Sequence, residues 1–276
     1  FSYNLVPFIG SAIVPILLNF ALFFLVITGR IRQALGSDEL RFFLLAVALS
    51  VGIIFVNILP SYDSAGRALL DTCFQVVSVV STTGFATADF ALWPTLSQFV
   101  LILLMFLGGC AGSTAGGLKA SRVLLMIRCA HRSLRRLSHP RVVKVVKLDG
   151  KTVDEETLNT VFVFFTCFFL LLGGTCLIVS LDGFSMTTTC TAALACLSNI
   201  GPGLEAVGPM GNFSAFSGLS KVVLSVAMLI GRLEIFPILI LLHPLAPELR
   251  RERDFVTLPF LLNFPLAFFV AFMKSF

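Results

Sequence analysis

Residues 67–87 read RALLDTCFQVVSVVSTTGFAT, and residues 185–205 read SMTTTCTAALACLSNIGPGLE. In each stretch a moderately apolar segment, 67–80 or 185–198, is shorter than the roughly 20 residues that a helix needs to cross a bilayer. A turn with a glycine follows, and Gly84 and Gly201 take matching places. This pattern predicts a re-entrant segment, in which a half-helix enters the membrane and an extended segment returns.

The composition places both segments in a membrane protein. Hydrophobic residues make up 57% of the 276 residues and charged residues 13%, against about 45–50% apolar content in soluble domains. The long apolar runs exclude an ordinary soluble fold, and the alternating polarity of barrel strands is absent. The sequence therefore predicts an all-α polytopic membrane protein.

Apolar runs of spanning length flank each short segment. Five spans are predicted: 11–28, 42–59, 97–118, 158–180 and 219–242. The second and third spans with the segment between them form one unit, and the last two form another at an offset of about 117 residues. The chain thus contains two helix–re-entrant pore loop–helix units, as in potassium channels.

Basic residues alternate between the connections. They lie between the first two spans, through 119–151 and at 250–253, whereas 60–96 holds only Arg67 and 181–218 holds neither Lys nor Arg. By the positive-inside rule, the basic connections are cytoplasmic and the two re-entrant segments enter from outside.

A re-entrant segment has a definite electrostatic character. Non-helical backbone at membrane depth is tolerated only where protein buries it or where it lines a watery cavity. The C-terminal end of a half-helix is partly negative, and carbonyls turned inward can replace the hydration shell of a cation. Glycine permits the backbone turn, and Thr82, Thr83 and Asn199 can brace it. The segments predict an ion pathway, with a purely structural loop as the alternative.

The stretch GGCAGSTAGGLK (108–119) ends a predicted span with glycines and hydroxyl residues. A phosphate-binding loop would need Lys directly after Gly117, where Leu118 stands. An intramembrane serine protease would need a base near the serine, and no histidine lies within a span. Close packing of helices on small residues stays open as an alternative. These features do not favour an enzyme.

Cysteines and outer carboxylates add little chemistry. The seven cysteines form no CxxC pair and predict buried thiols rather than a disulfide or metal framework. Asp71, Asp89 and Glu205 could either concentrate cations at an outer mouth or brace the loops.

Five stretches carry a resemblance to a known family: VVSVVSTTGFATADFALWP (76–94), GGCAGSTAGGLKASR (108–122), RRLSHP (135–140), LSNIGPGL (197–204) and GRLEIF (231–236). In this order and spacing the chain resembles the Trk/Ktr/HKT superfamily of potassium transporters, most closely the bacterial TrkH-type pore subunit. The resemblance implies four helix–pore loop–helix repeats, of which two are present. The implied parts are 1–36, the last helix of an incomplete second repeat; 37–130, the third repeat; 131–157, a basic cytoplasmic loop; 158–250, the fourth repeat; and 251–276, an apolar tail.

The resemblance also implies roles for particular residues. Backbone carbonyls in the two pore loops would form a K⁺ selectivity filter, the metal-binding element: Thr82, Thr83, Gly84, Asn199, Ile200 and Gly201. An intramembrane loop and one arginine would form the gate: Gly108, Gly109, Gly112, Ser113, Thr114, Gly116, Gly117 and Arg232. No organic cofactor is implied.

The implied function is potassium uptake across the bacterial plasma (inner) membrane. The implied partners are a second pore subunit, in a homodimer, and a cytosolic TrkA-like nucleotide-binding ring for which 119–151 is a docking surface; no nucleic acid is implied. Two alternatives are a truncated, non-conducting fragment, since the chain begins at Phe1 without Met, and a related transporter that also passes Na⁺.

Overall fold

The computed structural model describes residues 36–113, 115–138 and 145–233. In chain order the helices are α1 (Asp38–Ile58), α2 (Ala65–Val80), α3 (Thr95–Phe106), α4 (Ala120–Ser138), α5 (Glu155–Val179), α6 (Met186–Leu197) and α7 (Gly218–Arg232). A short antiparallel hairpin of β1 (Lys147–Leu148) and β2 (Lys151–Thr152) lies between α4 and α5. The predicted span 11–28 and the tail 251–276 lie outside the described residues.

Among the described residues, two helices are long and apolar enough to cross a membrane. They are α1 and α5, each with a short 3₁₀ extension that takes the apolar segments to Asp38–Ser61 and Glu155–Asp182. Both begin with two acidic residues, which favour a helix N-terminus because its partial charge is positive. Large apolar side chains such as Leu45, Val56 and Leu170 point outward, as expected for helices that face lipid.

The two re-entrant half-helices are confirmed. They are α2, of 16 residues, and α6, of 12 residues, and at 1.5 Å per residue both are shorter than the roughly 30 Å hydrocarbon core. Each is followed by irregular backbone and then by a further apolar helix, α3 or α7. The described residues therefore contain two helix–pore loop–helix units in an all-α architecture.

The predicted span 97–118 is not one continuous helix. α3 ends at Phe106 and α4 begins at Ala120, so the chain breaks over residues 107–119. This break contains the glycine-rich stretch quoted above. α4 then runs past residue 130 to Ser138 and carries the basic residues on a helix rather than on an irregular loop.

The two units share one core. α1 packs on α2 and α3, α5 packs on α6 and α7, and α3 contacts α6. The main cluster of buried side chains draws on both units, with Ile54 and Leu101 from the first and Phe168 and Leu197 from the second. The pore loops are consequently held between packed helices and not at the periphery.

Leu101 and Leu103 of α3 offer a matched test of this packing. Leu101 is 1% exposed in the shared core, whereas Leu103 is 53% exposed. We expect Leu101→Ala to lower the free energy of unfolding by about 2–5 kcal/mol, because the residual cavity loses contacts on all sides. Leu103→Ala removes the same atoms from a lipid-facing site and should change it far less. Thermal unfolding in detergent measures both; equal losses would contradict this core.

Candidate functional site

Both half-helices end in the same hydrogen-bonded turn. After α2, the Thr82 amide donates to the Val79 carbonyl at 3.1 Å and the Thr83 amide to the Ser78 carbonyl at 3.0 Å. After α6, the equivalent bonds run from Asn199 to Cys196 at 3.1 Å and from Ile200 to Ala195 at 2.9 Å. This pair of bonds is the Schellman motif, which satisfies the last helix carbonyls and turns the chain away from the axis. The internal repeat therefore extends to individual backbone bonds.

Left-handed backbone recurs at the same two places in each loop. Thr82 and Asn199 have φ of 55° and 56°, and Gly84 and Gly201 have φ of 76° and 104°. Asparagine tolerates this region, but a β-branched threonine rarely adopts it. Such strain persists only where the surroundings enforce it, and it concentrates at functional sites.

The two return segments touch. A Cβ atom on Gly84 would lie 2.2 Å from the Ile200 carbonyl oxygen and 3.1 Å from Pro202 Cδ. Only glycine permits this approach, because real Cβ atoms do not come so close to an oxygen. The carbonyl of one loop is thus placed directly against the backbone of the other.

The carbonyls of the six predicted filter residues accept no hydrogen bond from the backbone amides of the described residues. Within 36–113, 115–138 and 145–233, no backbone amide outside the helices and strands donates to the carbonyls of Thr82, Thr83, Gly84, Asn199, Ile200 or Gly201. A cavity of about 520 Å³ opens beside four of these residues, Thr83, Gly84, Ile200 and Gly201. Unpaired carbonyls next to an open cavity are the arrangement that can bind a dehydrated cation.

Side chains brace the loops as expected. The Thr83 and Ser81 hydroxyls lie 2.6 Å apart, and the Asn199 amide group donates to the Met228 carbonyl of α7 at 3.2 Å. Thr82 has a different kind of partner, since its hydroxyl accepts a hydrogen bond from the Gly116 amide at 3.1 Å. This last bond joins the first pore loop to the glycine-rich loop 107–119.

The ends of loop 107–119 pair with each other across the helix break. The Gly108 amide donates to the Leu118 carbonyl at 2.8 Å, and the Leu118 amide donates to the Phe106 carbonyl at 2.9 Å. Leu107 and Leu118 consequently form a short parallel bridge. This bridge gives partners to backbone groups that the missing helical turns would otherwise leave unpaired at membrane depth.

The inner part of the loop lies against the second pore loop. A Cβ atom on Gly116 would lie 2.1 Å from the Ser198 carbonyl oxygen, and one on Gly108 would lie 2.0 Å from the Gly116 carbonyl oxygen. Gly112 and Gly117 have positive φ. The glycines therefore serve close approach and turning, and residue 116 lies next to both pore loops.

Two buried charged side chains hold this loop, and the sequence did not single out either of them. The Glu39 carboxylate accepts hydrogen bonds from the Ala111 amide at 2.6 Å and the Ser121 amide at 3.1 Å. The Lys119 ammonium donates to the carbonyls of Ser113 at 2.8 Å and Ala115 at 2.6 Å. Both residues are 6% exposed, so Lys119, which begins the basic stretch 119–151, is buried.

Three further residues were predicted to belong to the gate: Ser113, Thr114 and Arg232. Within the part of the chain that the structure describes, the Ser113 hydroxyl makes no hydrogen bond, and backbone groups at the helix break are paired by the bridge at Leu107 and Leu118. Thr114 lies outside the described residues. Arg232 is the last residue of α7 and follows Gly231, which lies against the Leu197 carbonyl at the end of α6.

The outer carboxylates brace loops rather than forming a cluster. Asp71 accepts a hydrogen bond from the Thr87 hydroxyl at 2.9 Å. Glu205 accepts hydrogen bonds from the Ser185 and Thr188 hydroxyls at the start of α6. These hydroxyls, Ser185 first, lower the pKa of Glu205. Among the described residues, no group of three or more His, Cys, Asp and Glu side chains could hold a metal ion.

Comparison with known proteins gives one consistent result. The family described as TrkH, cation transport protein, matches residues 18–250. The chain is 37% identical over 232 residues to the Trk system potassium uptake protein TrkH of Salmonella typhimurium, covering 82% of this chain and 47% of that protein. It is 34% identical over 229 residues to TrkG of Escherichia coli strain K12, covering 81% of this chain and 46% of the relative.

A solved structure agrees with these matches. The crystal structure of the potassium transporter TrkH from Vibrio parahaemolyticus superposes with a TM-score of 0.79 at 35% identity, covering 88% of this chain and 53% of that one. The chain therefore spans about half the length of the relatives that it matches.

Gly231 and Gly174 provide a test of the close approach between α7 and α6. A Cβ atom on Gly231 would lie 1.9 Å from the Leu197 carbonyl oxygen, whereas one on Gly174, inside α5, meets nothing within 4 Å. We expect Gly231→Ala to lower the melting temperature in detergent because α7 must move away from the pore loop. Gly174→Ala should raise it slightly, since alanine is a better helix former by about 1 kcal/mol. Shifts of the same sign would refute the contact.

Proposed function

Because the chain belongs to the TrkH family of cation transport proteins, we propose that it forms part of a pathway for potassium uptake across the bacterial plasma membrane. One observation carries the proposal: two pore loops with unused carbonyls adjoin each other at Gly84 and Ile200, and a glycine-rich loop contacts both at Gly116. This is a transport function without covalent chemistry, so no enzymatic activity is proposed.

The pore loops would act as a selectivity filter. Carbonyl oxygens of Thr82, Thr83 and Gly84 in one loop, and of Asn199, Ile200 and Gly201 in the other, would replace water around K⁺. The C-terminal ends of α2 and α6 lie directly before these residues, and their partial negative charge favours a cation. Support comes from the left-handed residues at equivalent positions, which set the direction of successive carbonyls.

Loop 107–119 would act as the gate. Its backbone approaches the second pore loop without side-chain bulk at Gly116, and Gly108 lets the two ends of the loop lie close together. Its other glycines, Gly109, Gly112 and Gly117, would permit rearrangement. Arg232 would add a positive charge near the pathway, where a cation within a span is costly and usually functional. We propose that the closed loop and this charge together oppose ion flow.

The parts of the chain fit the third and fourth repeats of a four-repeat subunit. Residues 37–130 and 158–250 would supply these repeats, 1–36 the last helix of the second, and 251–276 an additional apolar segment. The basic connections would face the cytoplasm. We further propose a homodimer of pore subunits, and a cytosolic nucleotide-binding ring of the TrkA type that docks on the basic face of 119–151 and binds the regulatory nucleotide itself.

The filter assignment predicts a loss of ion discrimination in Gly84→Ser. The new side chain would meet the Ile200 carbonyl oxygen and strain a φ of 76°, so both pore loops would be disturbed. We expect K⁺ over Na⁺ preference to fall on the order of tenfold, equivalent to about 1.4 kcal/mol. Gly201→Ser, at a φ of 104°, should act in the same direction.

The assay is uptake and growth at low K⁺ in a bacterium that lacks its own potassium uptake systems, using the complete transporter that contains this sequence. Gly183→Ser is the matched control, because Gly183 has a similar φ of 75° and open space around it, outside the pore loops. Unchanged ion preference in both pore-loop variants would contradict the filter. Absence of rescue by correctly inserted wild-type protein would contradict potassium uptake.

The gate assignment predicts that variants of the gate increase potassium uptake. Deletion within 110–116, or Arg232→Ala, should raise uptake in cells without the regulatory subunit, because the barrier to cations is weakened. Lys221→Ala is the control, since Lys221 lies on the same helix and donates to the exposed Ser214 carbonyl. Flux that stays low despite normal insertion of both variants would show that these residues do not close the pathway.

A further inference from the structure

Glu39 is a buried carboxylate at the first turn of α1, and its partners are distant in sequence. One of its oxygens accepts both the Ala111 amide, 72 residues away, and the Ser121 amide, 82 residues away. Ala111 lies inside the proposed gate, and Ser121 lies in the first turn of α4, directly after the gate. A single carboxylate oxygen thus joins the interior of the loop to the helix that follows it.

The chemistry of this contact makes it directional and strong. The first amides of a helix have no partner within the helix and carry partial positive charge, which an acidic side chain stabilises. Hydrogen bonds to a charged group are stronger than those between neutral groups. Removal of the carboxylate would leave two amides without their acceptor in a buried place.

Lys119 binds carbonyl groups of the same loop, whereas Glu39 binds an amide group. Its ammonium donates to the carbonyls of Ser113 and Ala115, whereas Glu39 accepts from the Ala111 amide. The loop is therefore held on its amide side from α1 and on its carbonyl side from its own C-terminal end. The contact through Glu39 connects the loop to α1.

Asp38, next to Glu39 in the first turn of α1, forms hydrogen bonds with the hairpin 147–152. The Asp38 amide donates to the Asp149 carboxylate at 2.7 Å, and the Asp149 amide donates to the Asp38 carboxylate at 3.2 Å. Arg128 of α4 forms an ion pair with Asp38 at 3.0 Å and donates to the Lys147 carbonyl. Asp149 lies at the tip of the hairpin, between β1 and β2.

We propose that residues 38–39 form the joint through which the cytoplasmic hairpin 147–152 controls the gate. Glu39 is the positioning residue that holds loop 107–119 closed, and Asp38 ties its position to Asp149. A cytoplasmic partner that displaces the hairpin would shift the first turn of α1 and withdraw the acceptor from Ala111. The gating role of the loop rests on the proposed function; the mechanical connection between hairpin and loop does not.

A native thiol reports on this connection. Cys110 is next to Ala111 and 0% exposed, and Cys129 and Cys196 are buried controls outside the loop. The experiment uses the complete protein in membrane vesicles, with N-ethylmaleimide as the probe and mass spectrometry of peptides to measure alkylation of each cysteine. Potassium uptake without the regulatory subunit is measured on the same samples.

Two variants of Glu39 distinguish the loss of the hydrogen-bond acceptor from the loss of the charge. A variant of Asp149 tests the contact between the hairpin and α1 separately. Glu39→Ala should raise the alkylation rate of Cys110 on the order of tenfold, while Cys129 and Cys196 stay protected. Glu39→Gln retains an acceptor oxygen and should give a smaller rise. Asp149→Gly removes the carboxylate that accepts from the Asp38 amide, without strain at a φ of 50°, and should also expose Cys110. Asp154→Ala is its control, because the Asp154 side chain makes no cap hydrogen bond.

The outcomes are distinct. Selective exposure of Cys110 in Glu39→Ala and Asp149→Gly supports the joint, and a parallel rise in potassium uptake supports its control of the gate. Unchanged Cys110 alkylation in Glu39→Ala, or equal exposure of all three cysteines, overturns the inference. Exposure of Cys110 without any change in uptake would leave the joint standing and would instead count against the gate assignment of loop 107–119.

Discussion

The need to pair backbone amides and carbonyls at membrane depth shapes this protein more than any other constraint. Three stretches leave helical geometry between packed helices: the two pore loops and loop 107–119. The loop meets the requirement by pairing its own ends, at Leu107 and Leu118. The pore loops meet it only in part, through Schellman turns at Thr82 and Asn199. Among the described residues, the carbonyls that follow accept no hydrogen bond from a backbone amide, and in the proposed function these carbonyls would bind the cation.

Close contact between backbones is the second element of the site. Three glycines lie where a Cβ atom would come within about 2 Å of a carbonyl oxygen of another segment: Gly84, Gly116 and Gly231. Together they bring the first pore loop, the glycine-rich loop and α7 into contact with the second pore loop and the end of α6. Glycine therefore serves here as a packing residue that joins the repeats.

Charged side chains form hydrogen bonds with backbone groups of loop 107–119. Glu39 and Lys119 are both 6% exposed. In the same loop, Glu39 accepts from a backbone amide and Lys119 donates to backbone carbonyls. Buried charges persist in proteins when hydrogen bonds satisfy them, and each of these has two backbone partners. Since Asp38 adjoins Glu39 and binds Asp149, the same few residues link the interior of the protein to the hairpin 147–152.

Local sequence was enough to place the elements. Segment length identified α2 and α6 as half-helices, and glycines at matching positions identified their turns, because length, hydropathy and turn preference are properties of contiguous residues. Hydropathy predicted one span over 97–118, and only the family resemblance implied an intramembrane loop between α3 and α4. The tertiary structure alone decided the partners. Glu39 meets Ala111 across 72 residues, Lys119 is buried although it begins the basic stretch 119–151, and Gly84 lies against Ile200. Such contacts depend on how separate helices pack, which hydropathy along one chain does not encode.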